Sequence, residues 1–207
     1  LNAREQRVAT LLTTSSNWAS SSFYAAVTAK WNGGTGADPV ADIQARIAAS
    51  LTPINCMVMA EHVYFAFITN SAVQKYIALK TTVKPSVGSV DAAAMSAILE
   101  LPRIIVARSK KLSSAGVPSY IWGNNVPLLY VEPGVPSDGE SISTAKTFRW
   151  LGGQSTPDGR VEGTFLIRTY FDPRRGARGA NVTVVAHNDA EKITAGNAGG
   201  LLTGAYA

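Results

Sequence analysis

One stretch, residues 38–77, constrains the fold more than any other part of the chain. Asp38 and Pro39 predict a helix start, because an aspartate accepts hydrogen bonds from the first free amides and a proline fits the first helical position. Apolar residues then recur at spacings of three and four, which predicts one buried helix face. These residues are Val40, Ile43, Ile47 and Leu51. We expect Pro53 to end this helix.

A short apolar run follows this helix. Residues 56–60 (CMVMA) have the length and composition of a buried strand. Residues 61–68 predict a second helix, which places Val63, Phe67 and Ile68 in the core. The unit is therefore helix, central strand, helix, and it contains no recognisable catalytic motif.

Helical patterns dominate the first half of the chain. Residues 1–12 predict a helix with Val8, Leu11 and Leu12 on one side, and Asp91 predicts the cap of another helix that Pro102 stops. Residues 103–109 predict a strand.

Turns and β-rich segments dominate the second half. Lys110 and Lys111 begin a predicted exposed turn, and residues 120–131 predict either a hairpin or one long bulged strand. Three later β-rich segments lie between glycine-bearing turns, at residues 148–151, 161–171 and 181–187, and an irregular tail of small residues closes the chain. Helices combined with a late block of strands predict an α+β fold.

Composition narrows the possible functions. The chain has 207 residues, of which 46% are hydrophobic and only 16% charged, which suits a protein that covers its surface with copies of itself. An ordinary alanine-rich domain fits the composition equally well. The net charge of +5 permits contact with nucleic acid. No apolar run approaches the roughly 20 residues that span a bilayer, so we expect no membrane partner.

The cysteine content and the first residues of the chain are also informative. A single cysteine, Cys56, lies in an apolar run and allows no disulfide within the chain, which favours a reducing compartment. The chain begins at Leu1 with neither a methionine nor a signal-like segment, so we expect further residues upstream.

Motifs for catalysis or cofactor binding are missing from the sequence. His62, His187 and Cys56 stand apart in the sequence, so they do not predict a metal site. There is no Gly-x-Ser-x-Gly, and the glycines of residues 33–36 lack the following Lys-Ser/Thr of a phosphate loop. Two of the 14 acidic residues could still meet in space as a hydrolytic pair. We expect no enzyme and no cofactor.

The most charged patch is RTYFDPRRGAR, residues 168–178, with Tyr170 and Phe171 among its arginines. Those arginines are Arg168, Arg174, Arg175 and Arg178. Arginines beside aromatic rings suit single-stranded nucleic acid. The alternative is that they pair with carboxylates of a neighbouring subunit or cap a hairpin turn. We favour this alternative because the patch is one turn and not a face.

The order of these segments resembles the major capsid proteins of tailed bacteriophages, whose fold is shared with encapsulin shells. The helix ending near Leu12 resembles the family's spine helix, and WNGGTGADPVADIQARI resembles the lead-in and first helix of the axial domain. PINCMVMAEHVYFAFITNSAVQKYI, YIWGNNVPLLYV and GTFLIRTYFDPRRGARGANVTVVAHNDAEKI are similar to later segments of that family in the same order. The family's N-terminal arm and extended loop have no counterpart here.

The resemblance implies a fold and its domains. An axial domain of helices around a central sheet would accompany a peripheral domain with the spine helix and β-strands. The boundaries would be residues 1–30 for a peripheral segment, 31–159 for the axial domain, 160–190 for peripheral strands and 191–207 for a return segment.

The resemblance also implies a function. Copies of the chain would self-assemble into pentamers and hexamers of an icosahedral shell, in a virion assembled in the host cytoplasm, around double-stranded DNA bound without sequence preference. Scaffold, portal or decoration proteins would be further partners. The candidate contacts to other subunits or DNA are Arg168, Arg174, Arg175, Arg178, Lys110 and Lys111. The alternatives are an encapsulin-like compartment shell and a basic nucleic-acid-binding protein.

Overall fold

The protein is an α+β chain, as predicted. A computed structural model describes residues 2–33, 35–80, 95–96, 99–112, 116–134, 142–149, 166–175, 179–186 and 189–207. Its α-helices with defined bounds are α1 (Asn2–Thr13), α2 (Pro39–Ala49), α3 (Glu61–Thr69) and α4 (Ser71–Lys80). Its first six strands are β1 (Tyr24–Ala26), β2 (Cys56–Ala60), β3 (Arg103–Ala107), β4 (Lys110–Leu112), β5 (Pro118–Tyr120) and β6 (Val126–Leu129). The later strands are β7 (Ala145–Arg149), β8 (Leu166–Asp172), β9 (Ala180–Ala186), β10 (Asp189–Ile193) and β11 (Gly199–Thr203).

The predicted start of α2 is confirmed, but its predicted end is wrong. The Asp38 carboxylate accepts a hydrogen bond from the Ala41 amide at 3.1 Å, with Pro39 in the first turn. The helix already ends at Ala49. The Leu51 amide donates instead to the Asn197 carbonyl at 3.2 Å, and the Leu51 side chain is 72% exposed. Leu51 therefore does not belong to the buried stripe.

Five strands form the main sheet in the order β1-β11-β6-β2-β3. Within it, β2 is parallel to β3 and antiparallel to β6, while β11 is antiparallel to β6 and parallel to β1. All residues of β2 are buried, which confirms the predicted strand. In the chain β2 lies between α2 and α3, as predicted, and in the sheet it lies between β6 and the edge strand β3.

The end of the chain is a strand and not the irregular tail that we predicted. Strand β11 lies between β1 and β6, and Leu201 and Leu202 are buried. It begins with two glycines because neighbouring atoms occupy the space of a side chain. A Cβ on Gly199 would lie 2.6 Å from the Leu128 carbonyl oxygen, and one on Gly200 would lie 2.4 Å from Cδ of Arg46.

The helices contribute their apolar residues to the same core as the sheet. Val63, Phe67 and Ile68 of α3 are buried, as predicted. The Trp31 ring packs at 5.7 Å from the Phe67 ring. Of the residues predicted on one side of α1, Leu12 is buried and Val8 is partly buried against the core.

One buried carboxylate ties the loop before α2 to that helix. Asp42 accepts hydrogen bonds from the Thr28 amide at 3.3 Å, the Thr28 hydroxyl at 2.8 Å and the Trp31 indole at 3.0 Å. These bonds hold residues 28–31 against the first turn of α2.

The chain divides into two units. Unit 1 comprises Leu1–Lys146 and Ile193–Ala207, and unit 2 comprises Thr147–Lys192. Strands β8 and β9 of unit 2 form an antiparallel pair along seven residues each. The boundaries predicted at residues 30, 159 and 190 stay a prediction.

Two predictions lie partly outside the described residues. Most of the predicted helix between Asp91 and Pro102 is not described, although Met95 is helical and fully buried. The late β-rich segments correspond to β7, β8 and β9 only where residues are described. In the part of the chain that the structure covers, no helix is long and apolar enough to cross a membrane.

Candidate functional site

Lys110 and Lys111 lie on a hairpin strand, not in the turn that we predicted. Strand β4 pairs antiparallel with β5, with Lys110 opposite Tyr120 and Lys111 opposite Ser119. Side chains directly opposite in register project on the same face of the ribbon. The Lys110 ammonium accordingly lies 4.5 Å from the centre of the Tyr120 ring, within cation–π range. The structure thus divides the two lysines between opposite faces of the hairpin.

Two exposed apolar residues flank the far end of this hairpin. Leu112 is 72% exposed and Val117 is 60% exposed. The Lys111 ammonium has no hydrogen bond or ion pair with any residue that the structure describes. The β4–β5 hairpin therefore presents both apolar area and positive charge to solvent.

Residues 120–131 form neither the hairpin nor the long strand that we predicted. Strand β5 pairs with β4, whereas β6 pairs with β2 and β11. The residues between them form a turn in which Gly123 has a φ of 58°. A positive φ suits glycine, and the turn transfers the chain from the β4–β5 hairpin into the main sheet.

The arginine patch lies at the turn of the β8–β9 hairpin. Asp172 organises this turn: its carboxylate accepts from the Arg174 amide at 3.0 Å, and its carbonyl accepts from the Arg175 amide at 3.3 Å. The Arg175 side chain also approaches the Asp172 carboxylate, at 3.6 Å. Arg175 thus fits the turn-capping interpretation. The Arg174 side chain is exposed and has no polar partner among the described residues.

The remaining arginines are only partly described. Arg168 lies in β8 opposite Val184, and Arg178 lies outside the described residues. The two lysines belong to unit 1 and the described arginines to unit 2.

Aromatic residues flank the arginine turn on both faces of its hairpin. Tyr170 and Phe171 are neighbours in β8, so they project to opposite faces, and both are exposed. The Phe171 ring packs on the Gly179 backbone, because a Cβ on Gly179 would lie 2.2 Å from the ring. Neither face of this hairpin is therefore purely polar.

A third group of residues was missed by sequence reasoning, which considered His62 as an isolated histidine. His62 is the second residue of α3, and its Nε2 lies 2.8 Å from Oδ1 of Asn124. Its ring stacks on Tyr120 at 4.6 Å with a 27° interplanar angle and meets Tyr206 edge-on at 4.8 Å. The His62 cluster, as we call it, consists of Glu61, His62, Arg108, Lys110, Tyr120, Asn124 and Tyr206.

Glu61 joins this cluster to the β4–β5 hairpin. One carboxylate oxygen accepts from the Tyr120 hydroxyl at 2.9 Å, and the other lies 3.1 Å from Nε of Arg108. No sequence signal predicts this grouping, because its members come from four distant parts of the chain.

The described residues show no cluster of three or more potential metal ligands. Cys56 is buried in β2, and burial raises the pKa of its thiol although the nearby Arg103 charge opposes that rise. The reactive thiolate is therefore disfavoured at this position.

Comparison with known proteins identifies the fold. Neither a known protein family nor a curated protein matches this sequence. The structure is similar to that of a phage-related protein from Bordetella bronchiseptica RB50, with a TM-score of 0.74 and 16% sequence identity. The match covers 98% of this chain and 62% of that protein, so the chain spans less than two thirds of its length.

A second structure matches more weakly. It is described as the "putative capsid protein of prophage (E.coli CFT073)", with a TM-score of 0.46, 16% identity and coverage of 84% of this chain and 49% of that one. The stronger match shows that this chain shares the fold of a phage-related protein over nearly its whole length.

Proposed function

We propose that this chain is the shell-forming part of a phage major capsid protein. Its copies assemble into the pentamers and hexamers of an icosahedral shell that encloses double-stranded DNA. The observation that carries the proposal is the shared fold with a phage-related protein over 98% of this chain. The order of segments in the sequence, which resembles tailed-phage capsid proteins, supports it independently of that structure.

The surface is consistent with repeated contacts between copies. Only 16% of the residues are charged, and large apolar side chains are exposed in both units. Assemblies with closed symmetry bury the same patch on every copy. Apolar area that is exposed on the isolated subunit is therefore covered on each subunit of the assembly. The β4–β5 hairpin, with Leu112 and Val117 near its end, is the best candidate for such a contact in unit 1.

Particle size tests the proposal directly. Sedimentation velocity of the purified protein over a wide concentration range should show capsomers or particles in the megadalton range, and negative-stain microscopy should show closed shells. A protein that stays monomeric at every concentration would contradict the proposal.

A substitution on the β4–β5 hairpin tests the contact. We expect Leu112→Ser to weaken assembly while the thermal unfolding of the unassembled protein stays unchanged, because this side chain is 72% exposed in the single chain. Leu112→Met is the matched control, since it keeps the apolar area and should still assemble. If both variants assemble like the original protein, Leu112 does not lie in a subunit contact.

The role in DNA contact belongs to the same proposal. Positive side chains on the inner face of a shell neutralise phosphates without reading sequence. Arg174 is the best candidate, because its guanidinium has no polar partner among the described residues, whereas that of Arg175 lies near Asp172. DNA binding by Arg174→Ala should depend less steeply on salt, and Arg174→Lys should keep the original slope.

The same measurements separate the alternatives. A nucleic-acid-binding protein would bind with a steep salt dependence as free monomers and would form no particle. An encapsulin-like shell would form particles that contain no DNA. The ratio of nucleic acid to protein in purified particles, measured by absorbance, therefore distinguishes a virion shell from a protein compartment.

A further inference from the structure

An asparagine followed by a glycine lies in the loop before α2. Asn32 and Gly33 are both exposed, whereas the preceding Trp31 is 1% exposed. The Trp31 amide donates to the Ala205 carbonyl at 2.9 Å, and its carbonyl accepts from the Asn70 side chain at 3.2 Å. The Asn32–Gly33 peptide is therefore an exposed step directly after an anchored residue.

The two polar atoms of the Asn32 side chain differ in their contacts. Its Oδ1 accepts a hydrogen bond from the Ala207 amide at 3.2 Å. The Asn32 NH2 group has no hydrogen-bond partner among the residues that the structure describes. Five other asparagines instead donate through their NH2 groups: Asn17, Asn55, Asn70, Asn124 and Asn125. Asn32 thus differs from these five, because its carbonyl oxygen is held while its NH2 group faces solvent.

Gly33 leaves its own backbone nitrogen accessible. Its φ is 129°, a conformation that suits glycine, and apart from its chain neighbours no described atom lies within 4 Å of the place where a Cβ would be. Within the described part of the chain, the Gly33 amide donates no hydrogen bond. The nitrogen that follows Asn32 is therefore neither shielded by a side chain nor engaged in a described backbone contact.

We propose that Asn32 is a site of spontaneous deamidation that the Ala207 amide assists. The Gly33 nitrogen gives its proton to hydroxide and attacks Cγ of Asn32, so that a C–N bond forms and negative charge collects on Oδ1. The Cγ–Nδ2 bond then breaks with its electron pair, and the NH2 group takes a proton from water and leaves as ammonia. Water adds to one carbonyl carbon of the resulting succinimide and opens the ring to aspartate or isoaspartate.

Three features of the site favour this reaction. Nucleophile and carbonyl belong to neighbouring residues, so their encounter costs little entropy, and asparagine is a thermolabile residue. The Ala207 N–H already points at Oδ1, the atom on which the charge of the tetrahedral intermediate develops. The leaving NH2 group is free of described partners, so its departure breaks no described hydrogen bond.

Deamidation changes both the charge and the backbone at this loop. A neutral side chain becomes a carboxylate, which lowers the formal net charge of +5 by one. In the isoaspartate product, the oxygen that accepted from Ala207 becomes a main-chain carbonyl, and the backbone between Trp31 and α2 gains a carbon atom. The proposal does not depend on the function proposed above.

Peptide mapping of the purified protein by mass spectrometry tests the site. During incubation, the peptide that contains Asn32 should gain the mass difference between OH and NH2. The gain should be faster in mildly alkaline than in mildly acidic buffer, because the Gly33 nitrogen must lose a proton. It should also precede any gain at the five asparagines that donate through NH2. An Asn32 peptide whose mass stays unchanged in alkaline buffer would overturn the proposal.

The variant Asn32→Gln is the matched control for the attack by Gly33. It keeps a neutral side-chain amide, but its longer side chain does not close the same ring. Residue 32 should therefore keep its mass over the same incubation, and ion exchange should show no new acidic form from this site. Ammonia loss from Asn32→Gln at the original rate would show direct hydrolysis by water and would refute the attack by Gly33.

A second pair of variants tests the assistance. Ala207→Pro removes the N–H that bonds Oδ1 and should slow the deamidation of Asn32 by about fivefold, the scale of one neutral hydrogen bond. Ala207→Gly keeps this N–H and should deamidate at the original rate. Equal rates in the two variants would show that the Ala207 amide takes no part.

Discussion

Replacement of Asp42 by alanine should destabilise the protein far more than replacement of Asp38, although both aspartates belong to the start of α2. The Asp42 carboxylate accepts three hydrogen bonds from Thr28 and Trp31, and Asp42 is buried. The Asp38 carboxylate accepts one hydrogen bond, from the exposed end of the helix. Comparing the stability losses of the two alanine variants therefore distinguishes the contribution of a buried tertiary contact from that of a local helix cap.

The structure sets the expected magnitudes. Trp31 is 1% exposed, so its indole N–H would lose its partner with no access to water, a loss of about 1–3 kcal/mol. Thr28 would lose two further hydrogen bonds to a carboxylate, while the desolvation cost of that carboxylate would disappear. We expect Asp42→Ala to lower the free energy of unfolding by about 2–4 kcal/mol. Asp38→Ala should lower it by about 1 kcal/mol, the usual value for a lost cap.

Urea denaturation followed by tryptophan fluorescence measures both variants under the same conditions. Asp42→Asn is the isosteric control and should give an intermediate loss, because its side-chain oxygen still accepts while its NH2 group faces a donor. If Asp42→Ala lost no more stability than Asp38→Ala, the three hydrogen bonds would not hold the loop to α2, and the reasoning would be refuted.

Three other outcomes are expected. Gly199→Ala should cost about 1–3 kcal/mol in urea denaturation, because the new Cβ would lie 2.6 Å from a backbone carbonyl that cannot move freely; an unchanged stability would contradict this. Val58→Asp should leave the protein unfolded by circular dichroism and thereby abolish assembly, since Val58 is buried, and a full-size particle of this variant would mean that the core is misplaced. Burial raises the pKa of the Cys56 thiol above its unfolded value, so the stability that the protonated thiol contributes is present below the unfolded pKa and is lost as the pH rises towards the folded one. The original protein should therefore lose more stability between pH 7 and pH 10 than Cys56→Ala, and equal losses would refute this reasoning.

Local patterns predicted the elements of residues 38–69 well. Asp38, Pro39 and the apolar spacing identify α2, and an unbroken apolar run identifies β2. These signals are reliable because capping and periodicity act within a few residues. The end of α2 was misplaced because it depends on a contact between Leu51 and Asn197, far apart in the sequence.

The candidate sites were predicted only in part. Lys110 and Lys111 are exposed as expected, yet they belong to a strand because residues 118–120 pair with them. The contact of Arg175 with Asp172 is local and fits the predicted turn cap. The His62 cluster was not predicted, because no periodicity or motif relates residues 61–62, 108–110, 120–124 and 206.

Two comparisons show what the sequence by itself determined and what only the tertiary structure decided. The role of Asp38 follows from the sequence, because a cap bonds an amide three residues away. The role of Asp42 does not, since its partners lie on a loop that folds back over the helix. Likewise, the apolar run of β2 predicts a buried strand from the sequence alone. The sequence around Gly199 and Gly200 instead indicates a loop. They occupy a strand because β11 pairs with β6, and they have no side chains because Leu128 and Arg46 fill the space where side chains would otherwise lie. A helix cap or an apolar run depends on neighbouring residues and can be recognised in the sequence. The space around a residue depends on distant parts of the chain that meet only after folding.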